Sequence, residues 1–412
     1  MISVFGLGFV GLTTALGFSN YGLKVYGIDV NEERKELIRN GKLPFLEKGL
    51  DKALLEQNNK NFFVTDDIEM AVKDSEVIFY CVGTPYGENG EANLNYLFSA
   101  IKQTLVNYKK EDKKILVIKS TIPPSTTKEK VIPFINKLGF EVGKNLIVAN
   151  NPEFLREGHC WEDFIEADRV VIGCDCGDNI DKLEEIYKPF DVPIYKVSHN
   201  TGEYIKYLSN TLLATLISYS NEMSEIAENI GDIQISKAFN ILHMDKRWDG
   251  SDIVNYIYPG CGYGGYCLPK DTNALYALAR DRNVSAEILG NVIKTNDNMS
   301  KVIAARISKK VDKKLKIGIL GLSFKPNSDD VRDCASARVI KELLNMGYKN
   351  ILGYDPVAQK EFEKHYNLDI TYCDELKKIE KESDVLVILT AWDEFKYIKD
   401  LSDKMILDYR YM

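Results

Sequence analysis

Residues 259–271, PGCGYGGYCLPKD, place four glycines, two cysteines and the pair Lys270-Asp271 in thirteen positions. Glycine loses more conformational freedom on folding than any other residue, so such a cluster signals something that approaches the backbone closely. The chemistry on offer is that of Cys267. A lone cysteine is more often buried filler than a nucleophile, but a cation nearby lowers a thiol pKa and raises its thiolate fraction. Lys206 and Asn210 stand four residues apart and share one helix face. If that face meets the cysteine loop, ammonium and amide can stabilise an oxyanion formed when sulfur attacks a carbonyl.

Other polar residues follow apolar runs. NPEFLREG (151–158) brings Glu153 and Glu157 after NLIVANN, KSTIPPSTT brings Thr121, and CVGTP brings Thr84. In open parallel sheets, ligands bind beyond the carboxyl ends of strands. Each residue taken singly also reads as a loop hydrogen bond or a solvated charge; their coincidence at successive run ends favours a site.

A second chemistry opens the chain. VFGLGFVG sets Gly6, Gly8 and Gly11 in G-x-G-x-x-G after an apolar run, a pattern that seats a pyrophosphate on a helix N-terminus. The next run ends in Asp29, eighteen residues past Gly11, where a carboxylate accepts from the adenosine ribose hydroxyls and repels a 2′-phosphate. NAD is therefore expected rather than NADP, with Val10 and Arg34 among its contacts. No metal is expected: Cys174-Asp175-Cys176 has neither a second cysteine pair nor a nearby histidine. The eight cysteines follow no disulfide framework, which suits reduced thiols in the cytoplasm.

These residues need a scaffold of several domains, and 412 residues exceed what one core supports. A composition of 45% apolar and 28% charged residues is that of a soluble globular protein. The net charge of −8 argues against a nucleic-acid partner. The uncharged first twenty residues lack the basic start and cleavage site of a signal peptide, and no stretch is long and apolar enough for a membrane span. Apolar runs alternating with helical patterns predict an α/β protein. Two Rossmann-like, doubly wound parallel-sheet domains are expected, joined by a long central helix. From Glu203 to Ile230, apolar residues recur at three, four or seven positions, predicting one helix of about 40 Å that serves as spine and dimer surface. The expected domains are 1–200, 201–300 with the cysteine loop, and 301–412. The last has GLSFKPNSDDVRD in place of a dinucleotide fingerprint; its lysine and arginine suggest a phosphate-bearing ligand, or a solvated loop.

Together, GLGFVG, NPEFLREG, the Lys206–Asn210 helix, GYGGYCLPKD and GLSFKPNSDDVRD resemble the UDP-glucose/GDP-mannose dehydrogenases over essentially the whole chain, in family order. The resemblance is nearest to the short bacterial UDP-glucose 6-dehydrogenases. It implies oxidation of the C6 alcohol of a nucleotide-linked sugar to a carboxylate with two NAD⁺ and one water. Cys267 would hold the intermediate aldehyde as a thiohemiacetal and then a thioester, with the loop glycines letting the sugar lie against the backbone. By motif, Lys206 and Asn210 would form the oxyanion site. Asp271 and Thr121 would hold the catalytic water, and Glu153 would assist thioester hydrolysis. Thr84, Thr121, Glu157, Lys270 and Arg332 would contact NAD. Glu153, Phe154, Leu155, Arg156 and Glu157, Lys206 and Asn210, Tyr256, Ile257, Tyr258, Pro259, Gly260 and Gly264, and Lys325 would bind the nucleotide sugar.

Three positions depart from the family pattern: Arg247 lies further upstream than usual, Cys334 stands where serine is usual, and Asp408-Tyr409-Arg410 replaces Asp-Gly-Arg. Tyr266 before Cys267 and Lys270-Asp271 after it favour UDP-glucose over UDP-N-acetylhexosamines. GDP-mannose remains the enzyme alternative, and a non-catalytic sensor of NAD and nucleotide sugar the other class.

Overall fold

The computed structural model describes residues 1–87, 89–248, 252–401 and 403–412. Its β-branched runs form two sheets, in two compact units, Met1–Leu208 and Ser209–Met412. In the first unit the strands are β1 (Ile2–Phe5), β2 (Val25–Ile28), β3 (Phe62–Val64), β4 (Val77–Tyr80), β5 (Lys114–Ile118), β6 (Leu146–Asn150), β7 (Val170–Gly173) and β8 (Ile194–Val197). Their order is β3-β2-β1-β4-β5-β6-β7-β8, so the strand order reverses beside β1, where dinucleotide-binding folds place their crevice.

Alternation along each strand sorts side chains onto two cores. Val77, Phe79, Ile115 and Val117 pack on one face, and Ile78, Tyr80, Leu116 and Ile118 on the other. The pairings are parallel except between β6 and β7, which meet antiparallel at Asn150 and Gly173. An antiparallel neighbour needs no crossover helix, and the link from β6 to β7 carries only the short helix Cys160–Ile165. Gly173 permits the close approach, since a Cβ there would lie 2.2 Å from Asn150 Oδ1.

The second unit repeats the plan. Strands β9 (Ile317–Leu320), β10 (Ile351–Tyr354), β11 (Thr371–Tyr372), β12 (Val385–Ile388) and β13 (Met405–Asp408) run parallel in the order β11-β10-β9-β12-β13. Ile317, Ile319, Val385 and Val387 face one core, and Leu320, Leu386 and Ile388 the other.

The unit boundary falls inside the predicted spine, a 32-residue helix from His199 to Ile230. One face of it is buried through Tyr207, Asn210, Ala214, Ser218 and Asn221. Another exposes Tyr204, Leu208, Leu212, Tyr219, Ile226 and Ile230 in an apolar stripe. No described helix is long and apolar enough to cross a membrane.

Candidate active site

The first turn after β1 follows from its glycines. Gly6 has φ +89°, and a Cβ there would sit 2.7 Å from the Cys81 carbonyl oxygen. A Cβ on Gly11 would fall 1.7 Å from the Gly6 carbonyl oxygen, so the helix Phe9–Asn20, with Val10 in its first turn, packs directly on the turn. Gly8 has open space where its Cβ would be, and as N-cap it provides no side-chain cap. The helix therefore keeps free N–H groups at its positive end, a fit for a pyrophosphate. Asp29, at the end of β2, accepts from Leu7 N (2.6 Å) and Arg34 Nη1 (3.0 Å) on Oδ2, and from Asn31 N (2.8 Å) on Oδ1. Arg34, expected among the NAD contacts, is paired with Asp29 in the structure.

Beyond β4 and β5, the two predicted threonines meet: the buried Thr84 hydroxyl donates to the Thr121 carbonyl at 2.9 Å. Beyond β6, Glu153 is buried, accepts from Leu155 N at 2.6 Å on Oε2, and holds Lys206 Nζ at 2.9 Å on Oε1. Lys206 is equally buried and lies 5.7 Å from the Phe154 ring, which also carries the Arg169 guanidinium at 4.3 Å. Leu155 packs on the core and Glu157 is half-buried. Arg156, expected on substrate, is exposed and forks onto Asp163 at 2.7–3.1 Å.

Sequence reasoning missed a buried network behind these groups. Lys119 Nζ donates to Asn151 Oδ1 at 2.8 Å, and the Tyr187 hydroxyl donates to the same oxygen at 2.5 Å. Burial presses the Lys119 pKa down to about 8, with the carboxylate of Glu153 opposing the shift and the Lys206 ammonium adding to it. Glu203 also escaped notice: Thr127 N and Oγ1 donate to its Oε1 at 2.8 and 2.6 Å, and burial lifts its pKa to about 7.

In the second unit, Cys267 is exposed and is the first residue of the helix Cys267–Asp281, whose N-cap Tyr266 gives no side-chain cap. A sulfur anion at this first helical position sits at the positive end of the helix dipole, which favours it. One turn on, Asp271 is fully buried; Lys270 Nζ lies 2.5 Å from its Oδ1, and Asn210 Nδ2 donates to its Oδ2 at 2.6 Å. Burial disfavours the Lys270 ammonium, but the charge and hydrogen bond of Asp271 outweigh it and raise the pKa. Tyr266 lies beneath two cations, Arg332 at 4.6 Å and Lys270 at 5.6 Å. Arg332, expected toward NAD, also clamps Asp330 at 2.6–3.0 Å. Lys325 lies 5.3 Å from the Phe324 ring.

On their Cβ sides, the loop glycines make room for protein. Added Cβ atoms would meet Arg410 Nη1 at Gly260 (2.6 Å), Asn296 Oδ1 at Gly262 (2.5 Å), the Asp333 carbonyl at Gly264 (2.4 Å) and the Phe324 ring at Gly265 (3.0 Å). Gly260 N also donates to Asn221 Oδ1 at 2.7 Å. Ile257 and Pro259 are buried and Tyr256 half-buried, while Tyr258 donates to the Tyr411 carbonyl at 3.0 Å. Arg410 is thus placed against the loop. Arg247 folds onto Asp245 at 2.5–3.0 Å and is exposed.

The domain models of one family match in series: its NAD binding domain at 1–191, its central domain at 200–298 and its UDP binding domain at 318–412. The chain belongs to the UDP-glucose/GDP-mannose dehydrogenase family. It is an NAD-dependent oxidoreductase acting on a CH–OH group. The UDP-glucose 6-dehydrogenase YwqF of Bacillus subtilis is 36% identical over 96% of this chain and 88% of its own length. A GDP-mannose 6-dehydrogenase of Pseudomonas aeruginosa is 34% identical over 94% and 90%. Among solved structures, a UDP-glucose dehydrogenase of Pyrobaculum islandicum superposes with TM-score 0.90 at 31% identity, covering 100% of this chain and 94% of that one.

The second Rossmann-like fold of this family member holds a feature that sequence reasoning missed. Gly321 follows β9 with φ +92°, as Gly6 follows β1. Leu322 N donates to Asp355 Oδ2 at 2.8 Å, as Leu7 N does to Asp29. Here, however, the acid is saturated: Ser323 N and Oγ, Val357 N, Ala358 N and the Trp392 indole N–H (3.1 Å) also donate to it. The signal was present as Gly27-Ile28-Asp29 and Gly353-Tyr354-Asp355.

Proposed function

We propose that this family member is a UDP-glucose 6-dehydrogenase, oxidising C6 of UDP-glucose to the carboxylate of UDP-glucuronate with two NAD⁺ and one water, through covalent capture on Cys267. The observation that supports it most is the pairing of an exposed cysteine at a helix N-terminus with a buried Asn210–Asp271–Lys270 network one turn on. Asn210 in turn stands one turn from Lys206 on the spine helix.

NAD, when bound, supplies the hydride acceptor; Gly6, Gly8, Gly11 and Asp29 would hold it. The Cys267 sulfur adds to the C6 aldehyde, forming a C–S bond while the carbonyl oxygen takes up the electron pair. Lys206 and Asn210 donate to that oxygen. At the thioester stage, water adds to the carbon, Glu153 takes its proton, and the C–S bond breaks to return the thiolate. Asp271 and Thr121 orient the water.

UDP-glucose is the preferred sugar because Tyr266 precedes Cys267 and Lys270-Asp271 follows it, and because the relative from B. subtilis bears that activity in its name. GDP-mannose is the second reading, on the 34% identity to the P. aeruginosa enzyme. The apolar stripe on the spine helix supports a homodimer, and eight cysteines that form no disulfide suit the reducing cytoplasm.

The test is the NADH formed per sugar nucleotide consumed, with UDP-glucose, GDP-mannose and UDP-N-acetylglucosamine in parallel. Two NADH per UDP-glucose, and little with the others, is expected. One NADH would demote Cys267, and none with any sugar would leave a sensor. Cys267→Ser should abolish steady-state turnover while leaving NAD and UDP-glucose binding largely intact; normal turnover would remove the covalent mechanism.

A further inference from the structure

Lys119, just past β5, is 4% exposed. Its ammonium has one hydrogen bond among the described residues, to the neutral Asn151 Oδ1. Asn151 is itself fixed, donating through Nδ2 to the Val171 carbonyl (2.8 Å) and through its backbone N–H to the Ile118 carbonyl (2.9 Å). It stands two residues before Glu153. A methionine would fill similar volume without the desolvation cost of a buried ammonium. What lysine adds is charge.

The ionisable groups acting on Lys119 are Cys81 after β4, Glu153 after β6 and Lys206 on the spine helix, and Tyr187 shares its acceptor. Burial pushes the Cys81 thiol up to about 12 and raises the Tyr187 phenol well above its usual range, so both are neutral. The charged set is Lys119⁺, Glu153⁻ and Lys206⁺.

Resting on the roles proposed for Glu153 and Lys206, the arithmetic of charge is direct. Lys206 pairs with Glu153 at 2.9 Å. When it turns to an oxyanion on the substrate, Glu153 becomes a buried carboxylate stripped of its partner, a costly state. We propose that Lys119 is a positioning residue, the standing counter-ion of Glu153 that lets Lys206 leave the carboxylate for the substrate. Below pH about 8 the counter-ion is present, and above it the charge is lost.

The test compares Lys119→Gln, Lys119→Met and Lys119→Arg with Glu153→Gln and the wild-type enzyme. It records kcat and KM from pH 5 to 10, with circular dichroism to verify folding. Lys119→Gln keeps a donor for Asn151 and drops the charge. It should lower kcat at pH 7 by about tenfold or more and leave KM for NAD within about twofold. The acid limb of its kcat profile should move to higher pH, because a cation beside the proposed base has been removed. The alkaline step near pH 8 should vanish, and Lys119→Arg should restore the acid limb. A folded Lys119→Gln with wild-type kcat and both limbs in place would overturn the inference, even if Lys119→Met failed to fold. An acid limb lost in Glu153→Gln but unmoved in Lys119→Gln would sink this inference alone. A wild-type profile in Glu153→Gln would sink the role of Glu153 and this inference with it.

Discussion

Asp271→Asn isolates the electrostatic centre of the second unit. Asp271 is 0% exposed and Lys270 2% exposed, so neither charge is relieved by water. The substitution leaves the Lys270 ammonium without its anion. It also forces a new –NH₂ group toward either Lys270 Nζ or Asn210 Nδ2, both donors. Removing one partner of a buried ion pair costs about 3–5 kcal/mol. In a unit of this size, 1 kcal/mol moves Tm by about 2–4 °C, so a fall on the order of 10 °C is expected. The contribution has a defined pH window. The Lys270 pKa is raised in the folded state, so its stabilisation is intact below the ordinary lysine value of 10.5 and is lost as pH rises through the folded value. In the variant, burial acts on Lys270 without its anion and lowers the pKa, so the gap between variant and wild type should be full near pH 6 and narrow as pH rises toward and beyond 10.5. Thermal unfolding of the full chain, followed by calorimetry, measures both. The double variant Lys270→Met/Asp271→Asn should recover part of the loss, since it buries no unpaired charge. A single variant melting within about 2 °C of wild type, or a double variant with purely additive loss, would refute the reasoning.

Two further outcomes are expected. Asp29→Ala removes the acceptor of Leu7 N and frees Arg34; KM for NAD should rise about tenfold or more, and NADP should become a better substrate as Arg34 meets its 2′-phosphate. Unchanged cofactor selectivity would mean the ribose contact lies elsewhere. Glu203, with its folded pKa raised from 4.5 to about 7, holds a proton that the unfolded chain has released, so stability falls as pH rises between those values. The loss is about 3 kcal/mol, and Glu203→Gln should abolish it. A wild-type minus variant difference that stays flat from pH 4.5 to 7.5 in urea titrations would refute the assignment.

The parts of the fold and site legible in the sequence were local ones. Gly6, Gly8, Gly11 and Asp29 announce their turn because it is built within thirty residues, and the 32-residue spine shows its helical period directly. Lys119 and Asp271 show nothing of their partners, Asn151 and Asn210, because those arrive from distant segments. The loop glycines correctly signalled close approach; Asn296, Asp333 and Arg410 could not be read as what approaches on the Cβ side. Arg247 and Arg332 did carry a readable sign. In Asp-x-Arg, the carboxylate accepts the backbone N–H two residues on and turns back the guanidinium, as at Asp245–Arg247 and Asp330–Arg332. The antiparallel meeting of β6 and β7 left no trace in the apolar pattern, since burial on both faces looks alike in either direction.

The indole of Trp392 on Asp355 bears on timing. With that carboxylate stoppered, the second fold lacks the open acid that Asp29 offers in the first, so among the described residues the repeated architecture leaves one such berth for a dinucleotide. Any oxidation that removes two hydrides must run both through the same berth in succession, with spent cofactor departing and fresh cofactor docking between them. In the proposed mechanism the half-oxidised sugar would have to wait out that exchange without escaping, and a carbon–sulfur bond at Cys267 would be a tether that survives an open door.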